Sequence, residues 1–474
     1  MNLAQAISAG LATAGTRPLL GLLDASGRGR PLILTGEQIA AQAVGWQQRF
    51  VEAGLEPGDR VLLAPRRSPE LAAVHLGALA AGLTVVPLNP SLTENETSRL
   101  VARCRPALTL LGNELSPSVA GAKGDGEDLA LIIFTSGTTG QPKGVKLGNA
   151  NLLYDLEALM RLWQIGPDDR VLHMLPAHHF HGLVLALYGP LMSAAEICIL
   201  PRFEPRAVLD AIAEQGITVT MGVPTMYRRL LEAADPDDDL SGLRLALCGS
   251  APLPGDLWQA FGDRFGVGLV ERYGLTECGI ISSNLTDAPV AGSVGRALPG
   301  TTITIRHEDG YHRAGTPGAA RSGEVCVAGP SVMAGYLDDT DTTAAMVHDG
   351  YMHSGDLGRF DEKGNLYIDG RLKDLIIVGG TNVVPGEVEA ALSGVDGVAE
   401  LATVGRADDD LGEVVVAWVV ADPGTDPGDL EQRLRDRATR ELASYKRPRA
   451  YHLTGELPRN VMGKLDRRAL AEQS

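Results

Sequence analysis

At 474 residues the chain is too long for one small module, and 44% hydrophobic against 21% charged residues gives it the apolar surface to bury several cores. Its 42 basic and 59 acidic residues leave a net charge of −17, which repels the phosphates of nucleic acids and anionic lipids. Wholesale disorder, nucleic-acid binding and a membrane-surface role are therefore poor readings of this composition.

Five cysteines, Cys104, Cys198, Cys248, Cys278 and Cys326, are an odd number without a Cys-x-x-Cys pair, and read as buried thiols of a reducing compartment. The opening MNLAQAISAGLATAG has no basic segment before a long apolar core, and no run approaches the roughly 18 apolar residues of a membrane span. A cytoplasmic protein with no membrane span and no nucleic-acid partner is expected.

From the N-terminus, short apolar runs alternate with helical patterns, the signature of βα units around a mostly parallel sheet. Predicted strands are Arg60–Ala64, Leu83–Leu88, Leu108–Leu111, Leu129–Phe134, Val171–Leu175, Glu196–Leu200, Ile217–Met221, Leu243–Cys248 and Leu269–Tyr273. Helices Pro69–Ala81, Pro205–Gln215 and Pro224–Ala233 each open on a proline, where the first turn needs no N–H donor. Asn113–Asp128 reads as an exposed linker, and the acidic run Asp235–Asp239 as a solvated loop. From about Gly292 to Asp369 short strands broken by Gly and Asp turns predict a β-rich subdomain. Beyond the charged stretch Arg371–Asp374, helices Pro385–Leu392 and Asp429–Leu442 alternate with strands Ala399–Val404 and Val414–Val420. The fold class is thus α/β: a large N-terminal domain, residues 1–371, with mostly parallel βα subdomains and a β-rich subdomain, then a small mobile α+β C-terminal domain, residues 372–474.

Chemistry concentrates in LIIFTSGTTGQPKGVKL, Leu131–Leu147, where a buried strand runs into a loop of hydroxyls and glycines with one lysine. Glycines let backbone N–H groups converge on a phosphate, Thr135, Ser136, Thr138 and Thr139 add hydroxyl donors, and Lys143 adds a point charge. A turn of this composition without function is the alternative. The Walker spacing is absent, because Pro458 stands where the first glycine before Gly463-Lys464 belongs, and no G-x-G-x-x-G opens a helix after a strand.

The TSGTTGQPKG loop resembles that of the adenylate-forming, AMP-binding superfamily of acyl-CoA synthetases, adenylation domains and luciferases. GSAPL (Gly249–Leu253), ERYGLTE (Glu271–Glu277), HSGDLG (His353–Gly358), GRLKDLI (Gly370–Ile376) and NVMGKLDR (Asn460–Arg467) extend the resemblance in order over nearly the whole chain. It implies an AMP-forming acid–thiol ligase using ATP, Mg2+ and CoA: a carboxylate attacks the α-phosphate, and a thiol then displaces AMP. Thr135, Ser136, Gly137, Thr138, Thr139, Gly140 and Lys143 would hold the β- and γ-phosphates. Thr276 would bind the α-phosphate, Glu277 the Mg2+, and Tyr273 with Gly274 would pack on adenine beside the Gly249, Ser250 and Ala251 backbone. Asp356 would accept from the ribose hydroxyls, and Arg371 would contact ribose or phosphate. Lys464 would bridge carboxylate and ATP, Lys373 would be the hinge of a rotating C-terminal domain, and Gly379 and Gly380 would flank the pantetheine arm of CoA. His179 matches a histidine near the acyl pocket and thiol entry.

Histidines His173, His178, His179 and His181 lack the spacing or cysteine partners of a metal site. HFHGL, VPTMYRRL and ERYGLTE are most similar to malonyl-CoA synthetases, in which residues matching His181 and Arg244 sit where a second carboxylate is recognised. Predicted on a strand, Arg244 faces opposite to Leu245 and Leu247; a structural ion pair is its alternative. The segment after ERYGLTE departs from those enzymes: Cys278, Gly279, Ile280 and Ile281 make that wall more apolar, so a short- or medium-chain monocarboxylate competes with a malonate-like acid. Other readings are loading of an acyl carrier protein's phosphopantetheine, and a nucleotide sensor without turnover.

Overall fold

The computed structural model describes residues 1–64, 68–111, 114–117, 128–135, 142–459 and 465–473. Their contacts divide into two compact units, residues 1–303 with 327–352, and residues 304–326 with 353–474.

The first unit is built on two sheets. In one, strands Pro18–Leu22, Glu196–Ile199, Arg170–His173, Val219–Gly222, Leu245–Cys248 and Leu269–Leu275 run parallel, flanked antiparallel by Leu32–Thr35 at one end and by Gly279–Ser283 and Arg296–Ala297 at the other. In the other, Leu108–Leu111, Arg60–Ala64, Thr84–Pro87 and Leu129–Thr135 are parallel, and Lys143–Gly148 returns antiparallel to Leu129–Thr135. Consecutive residues of a parallel strand are buried on opposite faces, which is why these segments read as unbroken apolar runs. Val171, Ile197 and Leu247 join the core holding Val61, Val85 and Leu131 of the second sheet, with Ile7, Phe50 and Leu156 from the helices between them. Leu172, Cys198 and Ala246 face the other way, onto Val208, Tyr227 and Phe261 of outer helices Pro205–Gln215, Pro224–Ala233 and Gly255–Phe265.

In the second unit, strands Gly310–Arg313, Thr302–His307, Gly323–Ala328 and Tyr351–Phe360 lie in one sheet, with Leu366–Arg371 pairing Tyr351–Phe360. The C-terminal segment forms a further sheet of Thr381–Val383, Ile376–Val378, Gly412–Ala421, Val398–Asp408 and Ala450–Leu453. Its core is Ile376, Val388, Val415, Leu430 and Leu434, under helices Pro385–Leu392 and Pro427–Glu441.

One loop expectation is corrected: Glu114–Pro117, read as part of a linker, pairs antiparallel with Leu108–Leu111. The acidic run 235–239 is a solvent-exposed loop as expected, with Arg206 reaching Asp238 at 2.6 Å and Asp235 at 3.4 Å.

Candidate functional site

Strand Leu129–Thr135 is buried through Ile133 and delivers Thr135 opposite Lys143, so the phosphate-type loop is closed at its base by a strand pair. Ser136, Gly137, Thr138, Thr139 and Gly140 lie outside the described residues. Lys143 sits with its Nζ 5.3 Å from the ring centroid of Tyr336, whose hydroxyl donates to Glu277 Oε1 at 2.9 Å. Tyr336 gets there because Gly335–Tyr336 adds to the edge of Lys143–Gly148, and Met333 N donates to the Glu277 carbonyl at 2.8 Å. The lysine of the first motif and the carboxylate of the ERYGLTE motif are thereby brought to one tyrosine. Burial, then the Glu277 charge, hold that phenol protonated. Sequence reasoning missed Tyr336; the Gly-Tyr pair that follows the glycine-broken strands was its only signal.

Thr276 and Glu277 lie on the tight turn between Leu269–Leu275 and Gly279–Ser283, where Cys278 N donates to Leu275 O at 3.2 Å. Gly274 and Gly279 are required there: a Cβ at the first would stand 2.0 Å from the Gly279 carbonyl oxygen, and one at the second 1.9 Å from Asp155 Oδ2. Asp155 accepts from Ile280 N at 2.8 Å. Burial raises its pKa well above the usual carboxylate value. Tyr273, half-buried, borders the bulge that precedes Gly274, and Cys278 and Ile280 are buried behind the turn.

Ser250, in GSAPL, holds a left-handed φ of 69°, a strained conformation for a residue with a Cβ. Its Oγ lies 3.3 Å from His181 Nδ1 and 3.4 Å from Arg272 Nη2, and the Arg272 guanidinium passes so close to Gly249 that a Cβ there would approach to 2.7 Å. Ala251 is half-buried beside them. His181 opens a π-helix, His181–Tyr188, fully buried in an apolar run. His181 Nε2 and Arg272 Nε are both buried without a hydrogen-bond partner. Burial, then Arg272, push the His181 pKa well down, so the imidazole is neutral. Burial lowers Arg272 to about 10, which leaves it charged at neutral pH. Burial also raises Glu271 to about 8, and both Glu271 and Asp155 act on Arg272 by charge. His179 lies against His178 with ring centroids 4.1 Å apart and planes tilted by 53°, and burial together with His179 lowers His178 to about 3.

Of the two readings the sequence left open for Arg244, the structure shows the ion pair. Arg244 precedes strand Leu245–Cys248 and forks onto Asp169 with two 2.7 Å hydrogen bonds, with Gln164 O at 2.9 Å and Trp163 O at 3.2 Å. Burial opposes ionisation of Asp169, but the bonds from Arg244 and Thr218 outweigh it and lower its pKa. Arg244 is thus committed to a structural ion pair, and the arginine beside His181 is Arg272, which sequence reasoning passed over as a letter of ERYGLTE.

In the second unit, Asp356 is 4% exposed and lies in register with Arg371, whose Nε is 2.8 Å from Asp356 Oδ1. Lys373 is exposed on the short 3-10 turn Leu372–Asp374. Gly379 and Gly380, at φ 54° and 77°, join Ile376–Val378 to Thr381–Val383 on an exposed corner. Lys464 lies outside the described residues, between Arg459 and Leu465, which form a β-bridge.

A family model described as AMP-binding enzyme matches residues 33–123 and 112–337, and one described as AMP-binding enzyme C-terminal domain matches residues 387–464. The chain belongs to the AMP-binding enzymes. Among curated relatives of this AMP-binding enzyme, an indoleacetate–CoA ligase of Aromatoleum aromaticum is 34% identical over 90% of this chain and 91% of its own. A sulfoacetate–CoA ligase of Cupriavidus necator is 35% identical over 92% of this chain and 91% of its own. Among solved structures, ATP-bound MatB from Rhodopseudomonas palustris superposes with a TM-score of 0.87 at 32% identity, covering 100% of this chain and 99% of that one. A magnesium–triphosphate fits the donor set described above: Glu277 offers a hard oxygen ligand whose second contact is fixed by Tyr336, and Lys143 lies on the same ring.

Proposed function

We infer that this AMP-binding enzyme is an ATP-dependent carboxylate–CoA ligase whose acid is small and carries a second anionic group, as malonate does. Ligation to CoA rests on the family match and on relatives that are CoA ligases along nine-tenths of the chain. The second charge rests on one observation: Arg272, buried and cationic, has an Nε without a partner beside His181 and Ser250. A buried guanidinium that keeps an unmade N–H bond is costly, and a carboxylate that takes that bond offsets the cost.

A carboxylate is a poor electrophile until one oxygen becomes a good leaving group. Attack on the α-phosphate of ATP releases pyrophosphate and makes the acyl-adenylate; the CoA thiol then expels AMP. In this reading the Thr135–Gly144 loop with Lys143 holds the outer phosphates, Thr276 the α-phosphate and Glu277 the metal, while Tyr273 and the Gly249–Ala251 backbone flank adenine. Bound Mg2+ supplies charge that relieves repulsion between the phosphates and the incoming carboxylate. Asp356 takes the ribose hydroxyls with Arg371 nearby, and His179 lines the thiol's approach. Lys464 neutralises both anions during adenylation; residues 372–474 then turn about Lys373 to bring Gly379 and Gly380 to the pantetheine. Five free, buried cysteines fit a reducing, cytosolic setting, and among the described residues no helix is long and apolar enough to cross a membrane.

Pyrophosphate release measured across malonate, methylmalonate, sulfoacetate, acetate, butyrate and hexanoate tests the acid class. The two-charged acids are expected to lead, and Arg272→Leu to lower kcat/KM for malonate about a hundredfold, ~2.7 kcal/mol, the scale of one or two charge-assisted hydrogen bonds. Arg244→Leu is expected to leave the acid preference unchanged. Monocarboxylates turning over faster than malonate would reject the dianion and favour the apolar wall at Ile280.

A further inference from the structure

We propose that Glu324 and His353 are positioning residues for nucleotide binding, holding the turn that presents Asp356 in the one conformation that can receive a ribose. The inference rests on the reading of Asp356 as the ribose acceptor. Neither residue belongs to the site as described so far, and both are largely buried: His353 is 6% exposed and the Glu324 side chain 11%.

The turn His353-Ser354-Gly355-Asp356 is awkward for a chain to hold, because Gly355 adopts a left-handed φ of 68° in the middle of a strand. Two adjacent residues of the neighbouring strand Gly323–Ala328 take up its polar groups. Glu324 Oε1 accepts from Gly355 N at 3.3 Å, and Glu324 Oε2 lies 2.9 Å from His353 Nδ1. Tyr311 OH sits 3.3 Å from His353 Nε2. A neutral imidazole satisfies both neighbours when Nδ1–H donates to the carboxylate and Nε2 accepts from the phenol. One residue along, Ser354 Oγ donates to Val325 O at 2.6 Å and accepts from Asp356 N at 3.0 Å. The Glu324-Val325 dipeptide thus holds the turn by side chain and by backbone, and Asp356 emerges from it against Arg371. Removing the carboxylate leaves a buried imidazole N–H and a backbone N–H with a lost acceptor, and the turn is then free to leave its left-handed state.

Cys326 lies close by, with Sγ 3.4 Å from His353 Nδ1, so glutamate, cysteine and histidine ligand atoms fall within 4.8 Å of one another. The hydrogen bonds account for glutamate and histidine without an ion, and the thiol therefore serves as the control.

The test is steady-state kinetics on the full chain with ATP and the carboxylate varied separately, supported by calorimetric ATP binding. Glu324→Ala and His353→Ala are expected to raise the KM for ATP at least tenfold, with kcat at saturating ATP within about threefold and the carboxylate KM unchanged. His353→Asn, whose amide N–H replaces Nδ1–H, is expected to recover most of the ATP affinity, and Glu324→Leu, which keeps bulk and loses the acceptors, serves if the alanine variant fails to fold. Cys326→Ser is expected to bind ATP as the parent does. An unchanged ATP KM in Glu324→Leu and His353→Ala beside a raised one in Asp356→Asn overturns the positioning role. An unchanged ATP KM in Asp356→Asn overturns the ribose reading beneath it. A Cys326→Ser defect as large as that of His353→Ala overturns the hydrogen-bonded account in favour of a metal centre.

Discussion

Arg244 and Arg272 are the same residue type, each beside an apolar strand, and only tertiary burial separates them. Arg244 meets the nearly buried carboxylate of Asp169 75 positions away and becomes structural; Arg272 ends against Gly249, where no acid hydrogen-bonds to it among the described residues. Periodicity fixes the face of a strand but not what stands opposite, so the arginines and the motif are legible in the sequence but not which one lies beside Ser250 and His181. Glu271, next to Arg272, has a pKa raised from 4.5 to about 8 by burial. A raised folded-state value means the stabilising protonated form is fully present below the unfolded value and is lost as pH rises through the folded one. Glu271→Gln, which keeps an acceptor for Leu253 N at 3.2 Å, is therefore expected to gain stability over the parent progressively between pH 4.5 and about 8. The gain has a ceiling of about 1.4 kcal/mol per pH unit. Denaturant midpoints at pH 5.5 and 7.5 check it, and a difference between the two proteins that is flat with pH would refute it.

At the scale of elements, the helices opening on Pro205, Pro224 and Pro385 begin and end where the sequence places them, because proline at the first turn and an apolar stripe act locally. Buried parallel strands are legible as apolar runs for the same reason. The π-helix His181–Tyr188 is not: HGLVLALY is apolar at every position after the histidine and glycine, so it carries no period to distinguish one helix type from another. The Thr276–Glu277 turn is also set from outside its own sequence, by Asp155 on helix Asn149–Leu162. Asp155→Asn, whose amide oxygen still accepts, is expected to keep the bond to Ile280 N and cost little. Asp155→Ala strands the amide and should cost about 1–3 kcal/mol. Metal-dependent pyrophosphate release should fall with the second variant more than with the first, as the turn carrying Glu277 loosens. Equal activity and equal melting temperature in both would show that the turn holds itself.

For the whole molecule, the proposal to be tested is that one lysine, far along the chain from the phosphate loop, serves only the first of two half-reactions. The segment around Lys464 is anchored on both flanks within the C-terminal fold: Arg459 bridges to Leu465, Asp466 N donates to Pro458 O at 2.8 Å, and Arg467 forks onto Glu389 at 2.6 and 2.9 Å. Arg467 also reaches the Thr403 carbonyl at 2.7 Å, and its Nε lies 3.7 Å from Asp374, the neighbour of the proposed hinge Lys373. Residues on both flanks of 460–464 thus share one body with Asp374, and in the proposed rotation about Lys373 they turn together. Lys464→Ala is expected to abolish pyrophosphate release from ATP and acid while largely sparing thioester formation from preformed acyl-AMP and CoA. Arg467→Ala should weaken adenylation about tenfold by loosening the anchor, with Arg467→Lys in between, because lysine cannot reproduce the two-pronged contact with Glu389. Separate assays of the two half-reactions decide the matter: if both fall equally in Lys464→Ala, residues 372–474 do not alternate between two tasks, and the lysine is structural.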